Sequence, residues 1–166
     1  YFHYKIKPIP LGIDYHTISN KLSPIEQEKK LIYIYKNSIL FEKRLDKCYS
    51  FFQFQMFKRH NKDRFVAKDV LDKVNFNVYQ DKKITREQTW ENMVKYKWII
   101  SPHGKGLDCH RTYEAIALGC IPIVKSSTLD IMYKDMPIIL VSHDKKLSKR
   151  FDKTIKLSNF KLYTEK

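Results

Sequence analysis

One unbroken stretch of this chain, residues 101–125, constrains the fold more than any other, because it places strand, loop, helix and strand signals in one order. The apolar run Trp98-Ile99-Ile100 leads into it and is typical of a strand covered on both faces. Ser101-Pro102 ends that strand because proline donates no hydrogen bond to a sheet. A second apolar run, 121–124, follows the helix signal. This order predicts a βαβ unit, the building block of parallel sheets.

The part between the two strands predicts a helix whose first turn binds an anion. Gly104 and Gly106 lack a Cβ atom, so their N–H groups can approach a ligand closely. Asp108 is a favourable cap for a helix over 109–118, and Gly119 is a favoured residue just past a helix end. Ligands bind at the carboxyl ends of parallel strands, and helix N-termini attract phosphate. The sequence therefore predicts an anion site where this helix begins.

Three side chains near the start of the predicted helix suit a nucleotide. His110, Arg111 and Glu114 lie within four positions of one another, so they share one edge of the helix. Arginine binds phosphate with two parallel hydrogen bonds, and a glutamate can accept hydrogen bonds from both vicinal hydroxyls of a ribose. The same spacing also fits an ordinary Arg111–Glu114 ion pair with His110 at the surface, and spacing alone leaves both interpretations open.

Residues 101–124 resemble the signature of exostosin-like glycosyltransferases of the GT-B fold. That signature combines Ser-Pro, Gly-x-Gly, Asp-x-His-Arg-x-x-Glu-Ala and Gly-x-Ile-Pro-Ile-Val, and nearly every part is present. Residues 8–14 are weakly similar to a segment that precedes the donor domain of these enzymes. Two positions depart from the pattern, since Lys105 replaces a small amide residue and Tyr113 replaces tryptophan.

The resemblance implies a glycosyltransferase, or its donor-binding domain, that transfers sugar from a nucleotide sugar to a glycan or protein acceptor. The implied nucleotide-sugar site comprises Gly104, Lys105, Gly106, His110, Arg111 and Glu114. In it Glu114 binds the ribose, and Arg111 with the glycine loop faces the diphosphate. The nucleotide sugar is a substrate, and neither a cofactor nor a metal is expected. GT-B enzymes carry the acceptor on a facing N-terminal domain, so we expect donor binding with weak or absent transfer by this chain alone.

The remaining sequence alternates helix and strand signals. Capping boxes beginning at Ser23 and Thr85 predict helices from there, the first reaching about Asn37. Further predicted elements are strands at 48–55, 76–79 and 138–141, a helix from Phe65 to Val74, and a final helix carrying Leu147, Phe151 and Ile155. Five strands alternating with helices predict an α/β, Rossmann-like parallel sheet with helices on both faces, resembling the C-terminal half of a GT-B glycosyltransferase. We assign residues 1–45 to a lead-in or interdomain segment and 46–166 to the nucleotide-sugar-binding domain.

Composition limits the class of protein. A hydrophobic content of 43% excludes a disordered chain, and no stretch approaches the ~18 consecutive apolar residues of a membrane helix. No signal-peptide pattern opens the chain. Cys48, Cys109 and Cys120 form an odd set without CxxC spacing, which argues against a disulfide scaffold or a zinc site and favours a reducing compartment.

The net charge of +14 leaves two other classes of function open. The lysines are dispersed along the chain, which is typical of a solvated surface, although a positive field also attracts nucleic acid. A basic nucleic-acid-associated protein is therefore one alternative. A module that binds a nucleotide or glycan without catalysis is the other.

Overall fold

A five-stranded sheet with all neighbouring strands parallel forms the centre of the computed structural model, which describes residues 7–16, 22–53, 61–73 and 76–141. The strands are β1 (Leu45–Ser50), β2 (Asn77–Tyr79), β3 (Tyr96–Ser101), β4 (Ile121–Lys125) and β5 (Ile139–Val141). The helices are α1 (Pro24–Lys36), α2 (Asn61–Asp72), α3 (Arg86–Met93) and α4 (His110–Ala117), and short 3₁₀ helices cover Phe41–Lys43 and Asp130–Tyr133. The predicted α/β fold class is confirmed.

The sheet order β2-β1-β3-β4-β5 places the change of chain direction between β1 and β3. From β1 the chain moves outward to β2, crosses back past β1 to β3, and then continues outward on the other side. In open parallel sheets the loops diverge at such a point and leave a crevice at the carboxyl ends of the strands. This order therefore predicts a binding crevice beyond the ends of β1 and β3.

Buried side chains alternate along the strands and build one core on each face of the sheet, because successive residues of a strand point to opposite faces. One core joins the sheet to α1, α3 and α4 and contains Leu31, Ile34, Tyr49, Trp90, Met93, Val94, Ile99, Ala115, Leu118 and Cys120. The other contains Cys48, Phe52, Trp98, Ile100 and Ile121, with Ala67 and Leu71 of α2 packed against them. Helices therefore lie on both faces, as the sequence predicts.

Both predicted capping boxes are present. The Glu26 N–H donates to Ser23 Oγ at 3.3 Å, and the Ser23 N–H donates to the Glu26 carboxylate at 2.7 Å. Thr85 and Gln88 make the same reciprocal pair at the start of α3, at 3.1 and 3.0 Å. Each box satisfies N–H groups that the first turn of a helix leaves without backbone partners. For this reason α1 and α3 begin where the sequence predicts.

Helix α1 lies within the segment 1–45, which the sequence assigns to a lead-in or interdomain connection. Its Leu31 and Ile34 are buried in the core shared with α3 and α4. The described part of this segment therefore packs on the sheet. The division into 1–45 and 46–166 stays a prediction.

Some element bounds differ from the prediction. The strand predicted over 48–55 is β1, which begins at Leu45 and ends at Ser50, because the last residue of its pairing with β2 is Ser50. The helix predicted from Phe65 is α2, which begins at Asn61. The predicted final helix, with Leu147, Phe151 and Ile155, lies outside the described residues.

Gly119 ends α4 in the way the sequence predicts, since its φ of 69° lies in the left-handed region that favours glycine. A Cβ atom at this position would lie 2.9 Å from Cε2 of Tyr35 and 3.5 Å from Nη2 of Arg44. Arg44 also donates to the Gly119 carbonyl at 3.0 Å. The turn between α4 and β4 is therefore tightly packed.

We expect Gly119→Ala to lower the free energy of unfolding by about 1–2 kcal/mol, because alanine pays both for a positive φ and for the clash with Tyr35. Urea denaturation measures this change. Gly106→Ala is the matched control, since a Cβ there meets nothing closer than 4.0 Å. An equal loss of stability in both variants would contradict the explanation.

Candidate functional site

An open cavity of about 1100 Å³ lies at the carboxyl ends of β1 and β2, beside the starts of α3 and α4. Its lining comprises Asp14, Phe51, Phe52, Gln53, Tyr79, Gln80, Asp81, Lys82, Lys83, Ile84, Thr85, Arg86, Gln88, Thr89, His110, Arg111 and Glu114. The cavity thus adjoins the crevice that the strand order predicts and extends from the end of β1 toward β2, and the helix after β3 contributes His110, Arg111 and Glu114. Its size is that of sites for small molecules and cofactors.

The structure brings three of the six predicted site residues together in this cavity. His110 and Arg111 are the first two residues of α4, and Glu114 follows one turn later. Gly104, Lys105 and Gly106 do not belong to the lining of this cavity. The role of all six residues in binding a nucleotide sugar stays a prediction.

Arg111 presents a cationic group without hydrogen-bond partners at two of its nitrogen atoms. The side chain is partly exposed as a whole, but Nε and Nη1 are shielded from solvent and bond to no described residue. Its guanidinium carbon lies 5.1 Å from the ring centre of Phe51 and 5.9 Å from that of Phe52. Burial lowers the pKa of Arg111, because it disfavours the charged form. An anion in the cavity would offer this group the acceptor it lacks.

Glu114 forms its ion pair with a residue that the sequence analysis did not single out. Its Oε1 lies 3.2 Å from Nη2 of Arg86, and both side chains are only 9% exposed. The alternative interpretation was an Arg111–Glu114 ion pair along the helix. In the part of the chain that the structure describes, Glu114 pairs with Arg86 instead, so that interpretation is wrong. The Arg86 Nη2 also lies 3.9 Å from Oδ2 of Asp14. A cation from α3 therefore stands between two carboxylates at the cavity wall.

The position of Arg86 is set by the packing around it. Its Nη1 donates to Oε1 of Gln27 at 2.9 Å, and its guanidinium lies 5.5 Å from the ring centre of Trp90. Gln27 is itself oriented, because its Nε2 donates to the carbonyls of Tyr15 and Leu22 at 2.7 and 3.1 Å. The amide oxygen of Gln27 must therefore face Arg86.

The pKa of the Glu114 carboxyl is raised by its burial, while the charges of Arg86 and Arg111 act in the opposite direction. The Trp90 indole and His110 also lower it. The indole N–H stands near Glu114 but meets no acceptor in hydrogen-bond geometry among the residues that the structure describes. The ionised form of Glu114 therefore depends on neighbouring cations.

His110 is oriented by the N-terminal segment of the described chain. Its Nδ1 lies 2.8 Å from the Gly12 carbonyl oxygen. Because a carbonyl only accepts, Nδ1 carries the proton in this hydrogen bond. The second ring nitrogen, Nε2, bonds to no described residue and is left for a ligand.

Asp108 does not cap the helix, which corrects the prediction. The N-cap of α4 is Cys109, which makes no side-chain cap hydrogen bond. The Asp108 carboxylate instead accepts from the hydroxyls of Tyr113 and Tyr133 at 2.7 and 2.9 Å, and from the N–H groups of Leu11 and Cys109 at 2.8 and 2.9 Å. Asp108 thus joins α4, the Asp130–Tyr133 helix and the segment near Gly12.

The glycine loop packs against α2. Arg64 donates from Nε to the His103 carbonyl at 3.1 Å and from Nη1 to the Gln53 carbonyl. A Cβ atom on Gly104 would lie 3.0 Å from Nη2 of Arg64. Gly104 therefore allows the close approach of Arg64, and Lys105 is exposed.

A second contact fastens the same loop. Nδ1 of His103 lies 2.9 Å from Asp63 Oδ2, and its Nε2 lies 3.1 Å from the Lys125 carbonyl. Asp63 also forms an ion pair with the Lys125 ammonium group. Burial raises the pKa of Asp63, but the hydrogen bonds and charges of Lys125 and His103 outweigh it, and the net pKa is lowered. Helix α2 therefore sets the path of the chain from β3 to α4.

The sequence analysis missed Arg86, Asp14, Phe51 and Tyr79 as residues of the cavity. Arg86 carried one local signal. A cation in the first turn of a helix is unfavourable next to the helix dipole, so its presence there indicates an anionic partner elsewhere in the fold. Phe51 follows a strand at the predicted ligand edge of the sheet. Tyr79 ends the strand predicted over 76–79 at the same edge, whereas only the packing of distant segments brings Asp14 to the site.

No protein-family model and no curated protein matches this chain. In residues 7–16, 22–53, 61–73 and 76–141, no helix is long and apolar enough to cross a membrane. The same part of the chain gathers no three His, Cys, Asp or Glu side chains that could hold a metal ion. Function is therefore inferred from the cavity and the side chains of its lining.

Proposed function

We propose that this chain is the donor-binding domain of an exostosin-like glycosyltransferase, which binds a nucleotide sugar for transfer to a glycan or protein acceptor. The observation that carries the proposal is the guanidinium of Arg111 beside an open cavity, with two buried nitrogen atoms that form no hydrogen bond to any described residue. A buried donor without an acceptor costs about 1–3 kcal/mol. A phosphate bound in the cavity would place a negative charge beside this guanidinium and balance its buried positive charge.

Each part of the cavity suits one part of a nucleotide sugar. In the proposed complex Arg111 and the imidazolium form of His110, through Nε2–H, donate to the diphosphate, together with the first N–H groups of α4. Glu114 accepts from the ribose hydroxyls, and the aromatic side chains of Phe51 and Tyr79 suit a nucleobase. When the sugar leaves, negative charge grows on the diphosphate, and Arg111 and His110 stabilise it.

The charge of the lining also favours an anion. Four cationic side chains, Lys82, Lys83, Arg86 and Arg111, stand against three carboxylates, those of Asp14, Asp81 and Glu114. The charge of Arg86 is already balanced by carboxylates of the protein, because it pairs with Glu114 and lies near Asp14. Arg111 has no such carboxylate partner among the described residues. Together with the resemblance of residues 101–124, this favours a nucleotide diphosphate over a neutral sugar.

We expect ADP, GDP, UDP or CDP to raise the melting temperature of the wild-type protein, because a ligand that binds only the folded state stabilises it. At a concentration of about 100 times Kd the gain is about 2.7 kcal/mol, or roughly 5 °C or more for a chain of this size. Differential scanning fluorimetry with each diphosphate, and with inorganic phosphate and the free nucleosides as controls, measures the shift. Transfer to glycan acceptors is then tested with the sugar conjugate of the diphosphate that binds.

The proposal fails if none of the four diphosphates changes the melting temperature. Binding of a mixed-sequence oligonucleotide with a steep salt dependence, unaffected by Glu114→Ala, would point instead to a nucleic-acid-binding protein. If a protein that joins this chain to an acceptor domain binds nucleotides but neither transfers nor hydrolyses any sugar donor, the result would favour a binding module without catalysis.

A further inference from the structure

We propose that Arg86 is a positioning residue, which orients the Glu114 carboxylate toward the ribose and makes the site selective for ribonucleotides over 2′-deoxyribonucleotides. This inference rests on the nucleotide site proposed above. Arg86 touches Glu114, not the sugar, in this assignment. It goes beyond the resemblance, whose signature does not reach α3.

The geometry leaves one oxygen of Glu114 for a ligand. Oε1 pairs with Arg86 Nη2 at 3.2 Å, and the Trp90 indole N–H stands near the same carboxyl group without an acceptor in hydrogen-bond geometry among the described residues. Glu114 nevertheless lies in the cavity wall. The ion pair therefore holds one oxygen and turns the carboxylate so that the other is available to a vicinal diol.

The Arg86 side chain is buried and held by several contacts, which is not typical of a surface arginine. Gln27 accepts from it at 2.9 Å, and the Trp90 ring lies 5.5 Å away. The Thr85 capping box fixes the backbone at the preceding residue. A cation in the first helical turn is unfavourable next to the helix dipole. A partner as strong as the buried Glu114 carboxylate offsets this cost.

Loss of Arg86 changes what Glu114 can do. An ionised carboxylate only accepts hydrogen bonds, as the two ribose hydroxyls require, whereas a protonated carboxyl also donates. The charged groups that face Glu114 are Arg86 from α3 and Arg111 and His110 from α4, and Tyr15 interacts with it from the N-terminal segment. Burial already raises the pKa of Glu114, so removal of Arg86 raises it further. Glu114 then loses its acceptor role as the pH falls through that higher pKa.

The decisive experiment compares each nucleoside diphosphate with its 2′-deoxy analogue by isothermal titration calorimetry between pH 6 and 8.5. We expect the wild type to prefer the ribonucleotide by about 10-fold or more across this range, because one hydrogen bond to a charged group is lost in the analogue. In Arg86→Gln the ratio should fall toward one at low pH and recover as the pH rises. Glu114→Gln should show a ratio near one at every pH.

Arg86→Lys tests orientation apart from charge. Lysine keeps the positive charge but lacks the planar fork that fixes the carboxylate. We expect a reduced ratio that does not change with pH. This variant also keeps the inference testable if Arg86→Gln does not fold.

A measurement without ligand completes the test. Carbon-13 NMR of the glutamate carboxyl groups, with Glu114 assigned by its loss in Glu114→Gln, should show a higher titration midpoint for Glu114 in Arg86→Gln than in the wild type. If diphosphates bind but folded Arg86→Gln keeps the wild-type ratio at every pH, this inference fails and the proposed function stands. If no diphosphate binds the wild type, the proposed function fails and the ribose role fails with it.

Discussion

Arg111→Met is expected to weaken nucleotide diphosphate binding by about 100-fold and, at the same time, to raise the melting temperature of the free protein by about 2–4 °C. Affinity falls because the phosphate loses a bidentate, charge-assisted partner. Stability rises because methionine fills similar space over Phe51 and Phe52 without burying the unpartnered nitrogen atoms Nε and Nη1. Binding and stability change in opposite directions, as they do where a site stores strain for a ligand.

Calorimetry of diphosphate binding and a thermal scan of the free protein measure the two effects. Lys47→Met is the control, since it removes the same charge from an exposed position in β1. That control should leave both quantities close to the wild type. A structural role for Arg111 would show the reverse result, in which Arg111→Met lowers the melting temperature and leaves the affinity unchanged.

Asp108→Ala is expected to lower the free energy of unfolding by about 3–5 kcal/mol, the largest stability change that we predict. The substitution removes the acceptor of four hydrogen bonds, from Tyr113, Tyr133, Leu11 and Cys109. Both tyrosines are buried, at 8% and 3% exposure, so their hydroxyls would be left without an acceptor. Burial raises the pKa of both tyrosines, and the neighbouring Asp108 carboxylate raises it further.

Chemical denaturation of Asp108→Ala measures the loss, with Asp135→Ala at an exposed position as the matched control. A double-mutant cycle with Tyr133→Phe isolates the contact, because the cost of removing Asp108 should be smaller once the hydroxyl is absent. Equal costs in both backgrounds would show that the hydrogen bond does not contribute. A loss of stability below about 1 kcal/mol would show that the hydrogen bonds of the Asp108 carboxylate contribute little to the free energy of unfolding.

The secondary structure of this chain is predictable from sequence to a large extent because its signals are local. The capping boxes at Ser23 and Thr85 determine where two helices begin, and Gly119 determines where another ends. Such signals act through hydrogen bonds and backbone angles within about four residues of each other. The bounds of β1 were less predictable, because its end is set by pairing with β2 and not by its own residues.

Asp108 shows how a local rule is overridden. An aspartate before a helix is a good cap in isolation, but here the hydroxyls of Tyr113 and Tyr133 compete for the same carboxylate. Tyr133 comes from another element, 25 residues along the chain. The contact that decides the role of Asp108 could therefore not be read from its neighbours in sequence.

By itself the sequence determined the alternation of strands and helices, the parallel sheet and the edge at which α4 places His110, Arg111 and Glu114, since each follows from patterns within one segment. Only the tertiary structure decided which charges are paired. Arg86 neutralises Glu114, and Gln27, 59 residues away from Arg86, holds it there. Within the part of the chain that the structure describes, Arg111 has no carboxylate partner, because packing brings Phe51 and Phe52 against its guanidinium. Pairing depends on distances in space between segments that are far apart in the chain, and burial then sets the free energy of each unpaired charge.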